Sequence, residues 1–194
     1  MSMRVSIAAE PSIATAERLM DLQEMVGERI GRGRIRWVHP TNVQITLKTF
    51  EVRDEAMLGF VRELLVQLVQ PLFAFQSDCV GLACHPSPTR PRLLYAELDS
   101  SSAEVMGLLN KRLDQALEEI GVPPDPRPFK PMIMLGRGRD PNGLDLSETV
   151  DRHEKVLFGS STIKDIILFE HTIRHGVPHH AVLDRFILGM ASYS

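Results

Sequence analysis

The spacing of apolar residues predicts that each half of the chain contains a strand, a helix and a second strand. In the first half, residues 3–9 and 42–50 read as strands, and the segment between them has apolar residues at helical spacing. In the second half, residues 92–98 and 130–138 read as strands around a helix at 103–120. The apolar positions of the first helix are Ala16, Leu19, Met20, Leu22, Met25, Val26 and Ile30. This repetition predicts an α+β fold with two lobes, whose antiparallel sheets form a central cleft.

Further elements extend this pattern into a single bilobal domain covering residues 1–194. They are a helix at 54–70, strands at 72–84, 162–170 and 181–188, and a short helix at 147–157. Side-chain oxygens at helix starts can accept orphan backbone N–H groups. The candidates for this role at the first and third helices are Ser12 or Thr15, and Ser101 or Ser102.

Strict alternation marks the strand at 42–50 as having one core face and one wet face. Its apolar residues are Val43, Ile45 and Leu47, and the polar residues between them are Asn42, Gln44, Thr46 and Lys48. The strand at 130–138 places Met132 and Met134 together on one face. Arg137 falls on the other face unless a bulge or the strand end lies near Gly136.

These two strands resemble the signature strands of the two-histidine phosphoesterase superfamily. The most similar branch is the RNA 2′,3′-cyclic phosphodiesterases, also called 2′-5′ RNA ligase-like proteins. In that family each strand carries a His-x-Thr/Ser motif, and the two histidines face each other across a cleft, with helices packed outside. Here the first motif reads Gln44-Ile45-Thr46 and the second reads Met132-Ile133-Met134. Thr46 matches the family, whereas Gln44 and Met132 stand where the resemblance implies catalytic histidines.

The resemblance implies acid–base chemistry that these replacements do not support. In the family, one histidine activates water and the other protonates the leaving ribose oxygen of a cyclic phosphodiester. Glutamine has no proton that titrates near neutrality, and methionine offers only a weak sulfur acceptor. We therefore expect a degenerate protein that binds RNA ends or nucleotides without hydrolysis by the family mechanism. Two alternatives stay open: an active phosphodiesterase that uses relocated groups, and a protein-interaction scaffold whose cleft Met132 and Met134 fill.

Five residues are the candidates for contact with such a ligand. They are Gln44, Thr46, Lys130, Arg137 and Arg34. Gln44 and Thr46 occupy the wet face of the first motif strand, and Arg137 matches the arginine that follows the family's second motif. Lys130 matches a basic residue before the motif proline and also reads as an exposed charge. Arg34 belongs to the arginine- and glycine-rich run 29–36, which reads either as a phosphate-wrapping loop or as a solvated surface turn.

The histidines offer one cluster, near the end of the chain. The cluster consists of His171, His175, His179 and His180. If this segment were a helix, three of these histidines would lie on one face, and this spacing occurs in metal sites. Gly176 and Pro178 interrupt this run, so a solvated hairpin is the favoured interpretation. His39 lies in the turn before the first motif, away from the expected site. We expect neither a metal nor a cofactor.

Composition limits the kinds of partner. The formal net charge of −3 over 194 residues argues against a broad nucleic-acid-coating surface, so any RNA contact is expected to be local. Neither a signal-peptide apolar core nor a membrane-length apolar run is legible. Cys79 and Cys84 read as buried thiols in a reducing compartment. The sequence therefore predicts a cytoplasmic protein without a membrane partner, and it leaves the oligomeric state open.

Overall fold

A computed structural model describes residues 2–140 and 142–189, and over these residues it contains nine strands and four helices. The strands are β1 (Met3–Ala9), β2 (Ile35–Trp37), β3 (Ile45–Val52), β4 (Phe75–His85), β5 (Leu93–Leu98), β6 (Met132–Gly138), β7 (Leu157–Ile163), β8 (Asp165–Arg174) and β9 (Val177–Ile187). The helices are α1 (Ile13–Ile30), α2 (Glu55–Val69), α3 (Ser100–Glu118) and α4 (Ser147–His153). A short 3₁₀ turn at Pro40–Asn42 leads into β3.

Side-chain caps fix the starts of the long helices. Ser12 Oγ accepts a hydrogen bond from the Thr15 N–H at the start of α1, as predicted. At α3 the prediction of Ser101 or Ser102 as the cap is wrong. The helix begins earlier, at Ser100, and the carboxylate of Asp99 accepts the Ser102 N–H at 3.1 Å. A carboxylate at this position also complements the positive end of the helix dipole.

The described strands form one antiparallel sheet with the order β7-β4-β5-β6-β3-β1-β8-β9, and β2 pairs with β6. The prediction of an α+β fold with antiparallel strands is confirmed. The two sheets expected from the sequence are the two halves of this single sheet. They join where β3 meets β6, at the residue pair Ile45 and Ile133.

The main core lies between the sheet and the helices. Its fully buried residues include Leu19 of α1, Leu65 of α2 and Leu113 of α3, which share one cluster with Ile7 and Ile133 of the sheet. Truncation of a buried leucine to alanine costs about 2–5 kcal/mol, so this cluster is a major source of stability. A second, smaller cluster of Ala8, Ile167 and Phe169 forms separately. Ile7 faces the helices. Because residues alternate along β1, Ala8 lies on the opposite face of the sheet, and this opposite face is the cleft face.

A bulge changes the predicted direction of Lys48. Ile7 pairs with Lys48 and Ala8 pairs with Thr46, so Leu47 is an extra residue in β3. Lys48 is thereby turned towards the helices, where its Nζ bonds to the Asp114 carboxylate and, at 3.1 Å, to a backbone carbonyl of the loop after α3. The expectation that Lys48 shares the wet face of Gln44 and Thr46 is therefore wrong.

Strands β2 and β7 lie largely where the sequence did not predict a strand. Ile35–Trp37 forms β2 inside the arginine- and glycine-rich run, where three residues are too few to show a period. The predicted strand at 162–170 covers the end of β7 and most of β8, which are separated at Lys164. The carbonyl of Lys164 accepts a hydrogen bond from Leu188 N–H at 2.9 Å, which ties this break to the end of β9.

Candidate ligand-binding cleft

The pairing of β3 with β6 brings the two motif strands together. Ile45 and Ile133 are Cα partners and face the core, with 1% and 0% of their surfaces exposed. Because neighbouring side chains alternate in a strand, the motif residues on either side of this pair face the cleft. Those residues are Gln44, Thr46, Met132 and Met134. Gln44 is buried, and the other three are partly exposed.

Gln44 belongs to a chain of polar contacts on the first-motif side. Its Nε2 donates to Thr46 Oγ1 at 3.2 Å and to Ser6 Oγ at 3.4 Å. Ser6 Oγ also lies 2.9 Å from His171 Nε2. Gln44 Oε1 is buried and finds no hydrogen-bond partner within the described part of the chain. Gln44 is thus used for internal hydrogen bonds, and one of its acceptor sites is left without a partner in the described residues.

His171 and His180 are packed against this network. They are cross-strand partners of β8 and β9, and their rings stack with centroids 4.1 Å apart and an interplanar angle of 17°. Asn42 fixes the hairpin beside the first motif, because its Nδ2 donates to Pro178 O at 2.8 Å and its Oδ1 accepts the His180 N–H at 3.1 Å. The predicted hairpin is present, but these two histidines are half-buried rather than solvated. His175 lies at its exposed turn.

Burial keeps both stacked histidines neutral near pH 7. Desolvation, together with the charges that His171 and His179 would carry, lowers the pKa of His180 to about 4. Desolvation, followed by the nearby charge of Arg4, also lowers the pKa of His171. A neutral imidazole can exchange hydrogen bonds, but it is a poor proton donor in acid–base catalysis.

No group of three metal-ligating side chains is present among residues 2–140 and 142–189.

The second-motif side of the cleft has a different composition. Met132 pairs with Glu97 of β5, and Met134 pairs with Tyr95. Lys130 Nζ donates to Glu97 Oε1 at 2.6 Å and to Tyr95 OH at 3.0 Å, and it lies 4.9 Å from the centroid of the Tyr95 ring. Partial burial lowers the pKa of Lys130, but the hydrogen bonds to Glu97 and Tyr95 outweigh burial and raise it. Lys130 is therefore charged and already has an anionic partner.

A bulge in β6 turns Arg137 into the cleft. Tyr95 pairs with Met134 while Leu94 pairs with Gly136, so Leu135 is an extra residue in β6. After this bulge Arg137 lies on the same face as Met132 and Met134. The sequence required such a bulge, or a strand end, for Arg137 to face the cleft. Arg137 lines a cavity of about 550 Å³ beyond the motif residues, and the other residues of its lining are Arg36, Arg92, Gly138 and Arg139.

Two of the remaining arginines in the 29–36 run have contacts elsewhere. Arg34 Nη1 donates to Gly143 O at 2.7 Å, and Arg34 is not among the residues that line this cavity. Arg29 lies in α1 and forms an ion pair with Glu148. The run therefore divides between a helix, a loop contact and strand β2, and it does not form one phosphate-wrapping loop.

The structure brings into the cleft several residues that no local motif identifies. Ser6, Tyr95 and Glu97 come from neighbouring strands through register alone. The pairing of His171 with His180 had a signal in the sequence, because a hairpin with its turn at Gly176 places these two residues opposite each other. Arg92 and Arg139 flank strand ends, where sequence gives no facing direction.

The chain is detectably similar in sequence to a curated enzyme. The RNA 2′,3′-cyclic phosphodiesterase of Aquifex aeolicus (strain VF5) is 24% identical over 154 residues, covering 79% of this chain and 82% of the relative. No protein-family model matches the chain.

Solved structures share the fold over nearly the whole chain. TT0787 of Thermus thermophilus superposes with a TM-score of 0.79 at 24% identity, covering 97% of this chain and 100% of the other. Escherichia coli LigT complexed with 3′-AMP superposes with a TM-score of 0.76 at 18% identity, covering 98% and 100%. The fold expected from the motif strands is thus confirmed: the chain has the LigT-like fold of these structures, and it is similar in sequence to an RNA 2′,3′-cyclic phosphodiesterase.

Proposed function

We propose that this chain binds phosphate-bearing ends of RNA or nucleotides in its cleft without hydrolysing them by the superfamily's acid–base mechanism. One observation carries the proposal. The strand pairing that presents the two motifs is intact at Ile45 and Ile133, yet the presented residues include Gln44 and Met132. The scaffold for holding a ligand is retained, and the groups that would move protons are replaced.

The chemistry of the replaced positions argues against turnover. Positioned general acids and bases each contribute about 10²–10⁴-fold to rate, because they donate or accept a proton in the transition state. The side chain of Gln44 cannot ionise near neutrality, and Met132 has no dissociable proton. With both positions occupied in this way, the acid and the base of the family mechanism are missing together.

The remaining groups suit binding of a phosphate-bearing ligand. Thr46 presents a hydroxyl to the cleft, and because its oxygen accepts from Gln44 Nε2, its O–H can donate to a phosphate oxygen. Arg137 supplies a guanidinium fork, whose geometry matches a phosphate. E. coli LigT, which has the same fold, is complexed with 3′-AMP, and this supports a nucleotide as the class of ligand. Arg34 is left out of the proposal because its guanidinium is committed to Gly143.

The relocated-group alternative has one observation in its favour. His171 lies within the hydrogen-bonded chain that reaches Gln44 through Ser6. Against it, burial lowers the pKa of His171, and its ring is stacked on His180. The scaffold alternative is weaker still, since Met132 and Met134 keep part of their surfaces exposed and do not close the cleft.

Both cysteines are free thiols, and this supports a reducing compartment such as the cytoplasm for the proposed function. Burial raises the pKa of Cys79 and of Cys84 to about 12, so neither is a reactive thiolate. No helix in the described residues is long and apolar enough to cross a membrane.

Titration calorimetry with 3′-AMP and with 2′,3′-cyclic AMP tests the proposal, followed by chromatography of the recovered nucleotide. We expect binding of both nucleotides and recovery of the cyclic form intact. Arg137→Gln should weaken binding about tenfold, because a charge-assisted hydrogen bond contributes about 1.5–3 kcal/mol. The matched control is Arg112→Gln on the exposed side of α3, which removes the same charge far from the cleft and should bind as the native chain does. Absence of binding, or conversion of the cyclic nucleotide, would contradict the proposal.

A further inference from the structure

Four arginines converge on the cavity at the end of the cleft. Arg36 of β2 and Arg137 of β6 are direct cross-strand partners. Arg92 precedes β5, Arg139 follows β6, and both line the same cavity of about 550 Å³. All four side chains are exposed. Across residues 2–140 and 142–189, the ion pairs include none of these four arginines.

This concentration of charge is unfavourable without an anion. Like charges directly opposite each other on paired strands destabilise a sheet, and Arg36 and Arg137 form such a pair. The chain as a whole carries a formal charge of −3, so a cluster of four cations is a local feature. A cleft lined by one sign of charge concentrates counter-ions of the other sign. The cavity therefore attracts anions.

Backbone contacts hold the arginines in place. Gly138 N–H donates to Arg92 O at 3.1 Å, and Arg139 N–H donates to Arg34 O at 2.9 Å. The two segments approach closely at Gly138, which has no side chain. A Cβ at this position would lie 2.2 Å from Pro91 O and would push the segments apart. The segment that carries Arg92 therefore packs directly on β6, and a glycine is required for this approach.

The number of donors indicates more than one phosphate. Each guanidinium carries five N–H donors, so the four arginines offer about twenty. A terminal phosphate presents three strong acceptor oxygens, which two guanidinium forks can satisfy. The cluster also begins beside the motif cleft, since Arg137 follows Met134 by three residues, or about 10 Å of strand. A ligand held at the motifs can therefore extend into it.

We propose that the four-arginine cavity binds two or more consecutive phosphate groups of a ligand whose nucleotide part is held at the motif strands. This inference rests on the proposed function and extends it. Consecutive phosphates have two sources: the polyphosphate tail of a nucleotide, and the successive phosphodiesters of an RNA strand. Both present the same chemistry to the arginines, and they differ in the spacing of their charges.

The test measures binding of inorganic triphosphate and inorganic phosphate to the native chain and to Arg36→Gln/Arg92→Gln. The native chain should bind triphosphate at least about tenfold more tightly than phosphate. The double variant should lose at least about tenfold in triphosphate affinity, because two charge-assisted contacts are removed. Raising the salt concentration should weaken triphosphate binding to the native chain more than to the double variant. Arg112→Gln/Lys111→Gln on α3 removes two exposed charges elsewhere and should change triphosphate affinity less than twofold.

A second arm identifies the source of the phosphates. A tetranucleotide RNA without terminal phosphates is compared with adenosine triphosphate in the same two proteins. If the double variant loses more affinity for the RNA than for adenosine triphosphate, the cavity binds the backbone of an RNA strand. If it loses more affinity for adenosine triphosphate, the cavity binds the polyphosphate tail of a nucleotide. Equal affinity of the native chain for triphosphate and phosphate, or unchanged triphosphate affinity in the double variant, would overturn the inference.

The two proposals fail separately. If 3′-AMP does not bind but triphosphate binds through the arginines, the proposed nucleotide function fails and the cavity remains an anion site. If 3′-AMP binds and the double variant keeps its triphosphate affinity, the proposed function stands and the inference about the arginine cavity fails. Thermal unfolding of each variant verifies that it is folded, as expected for substitutions of exposed side chains.

Discussion

The two sides of the cleft differ in the residues that stand at the motif positions. On the first-motif side, Gln44 is buried and hydrogen-bonded to Ser6 and Thr46, and the stacked histidines close the network. On the second-motif side, Met132 and Met134 offer only thioethers, and the arginine cavity lies beyond them. One strand pairing therefore supports a closed polar side and an open cationic side. Under the proposed function, we expect the arginine cavity on the second side to hold the ligand's further phosphates.

The arginine side should be the more sensitive to a change in backbone packing. Gly138→Ala would place a Cβ 2.2 Å from Pro91 O, so the segment carrying Arg92 has to move away from β6. We expect a loss of about 3 kcal/mol in the free energy of unfolding, at the upper end of overpacking effects. Chemical denaturation measures it. Gly59→Ala in α2 is the matched control, because a Cβ there meets nothing within 4 Å and a helix gains about 0.5–1 kcal/mol from the exchange. Equal stability of the two variants would show that Gly138 is not required for the close approach.

The polar side should be the more sensitive to the loss of a single hydroxyl. Ser6 is fully buried, and Ser6→Ala would remove a partner from both Gln44 and His171. We expect a loss of about 2 kcal/mol, because buried polar groups are left unsatisfied. Met134→Leu on the other side should cost less than about 1.5 kcal/mol, since the exchange conserves volume and polarity. If both variants lost the same stability in denaturant titrations, the two sides would not differ as described.

Acid should weaken the polar side first. The pKa of His180 is lowered by burial from 6.5 to about 4, so the unfolded chain binds its proton more readily than the folded chain does. The resulting contribution to stability is present above pH 6.5 and is lost as the pH falls towards 4. His180→Phe keeps an aromatic ring and removes the titration, so the stability of this variant should decline less over that interval. Denaturant midpoints measured at several pH values provide the comparison.

His175→Asn is the control for this titration, because His175 lies at the exposed hairpin turn with a φ of 51° that asparagine tolerates. Its pH profile should follow that of the native chain. A native profile that is flat between pH 6.5 and 4, or one that His180→Phe leaves unchanged, would show that burial of His180 is not coupled to stability.

The smallest effect is expected at Lys130. Its ion pair with Glu97 joins side chains that are 51% and 38% exposed, and such pairs contribute less than about 1 kcal/mol. Lys130→Met should therefore change the unfolding midpoint only slightly. Its affinity for 3′-AMP should fall less than that of Arg137→Gln, because Glu97 already neutralises the lysine. A larger loss for Lys130→Met than for Arg137→Gln would move the phosphate site along β6.

The parts of the fold that follow from local periodicity were predictable, and those that depend on register were not. The strand Met3–Ala9 was predicted residue for residue, because its apolar run is bounded by a turn signal. The direction of Lys48 was not, since the bulge at Leu47 is a property of the pairing with β1. The same kind of irregularity at Leu135 turned Arg137 into the cleft, and the sequence identified a bulge near Gly136 as the requirement without showing that one forms.

The candidate site shows the same division. The motif resemblance identified Gln44, Thr46, Met132 and Met134, whose facing directions follow from alternation around Ile45 and Ile133. Ser6, His171 and the arginines at strand ends enter the cleft through contacts between distant segments, and no spacing along the chain encodes those contacts. Arg34 was the candidate chosen from the arginine run, whereas the structure places Arg36 at the cavity, because β2 sets the facing direction there.

Turnover of 2′,3′-cyclic AMP by the native chain and by Gln44→His/Met132→His/Met134→Thr tests the central claim most directly. The native chain should show no turnover above buffer. The restored variant should exceed it by at least about 10²-fold, because an acid and a base return to a scaffold whose strand pairing is intact. Native turnover that survives repurification and is abolished by His171→Asn would contradict the account, since the chemistry would then reside in relocated groups. Silence from both proteins would also contradict it, because the cleft would not be the site that the strand pairing presents.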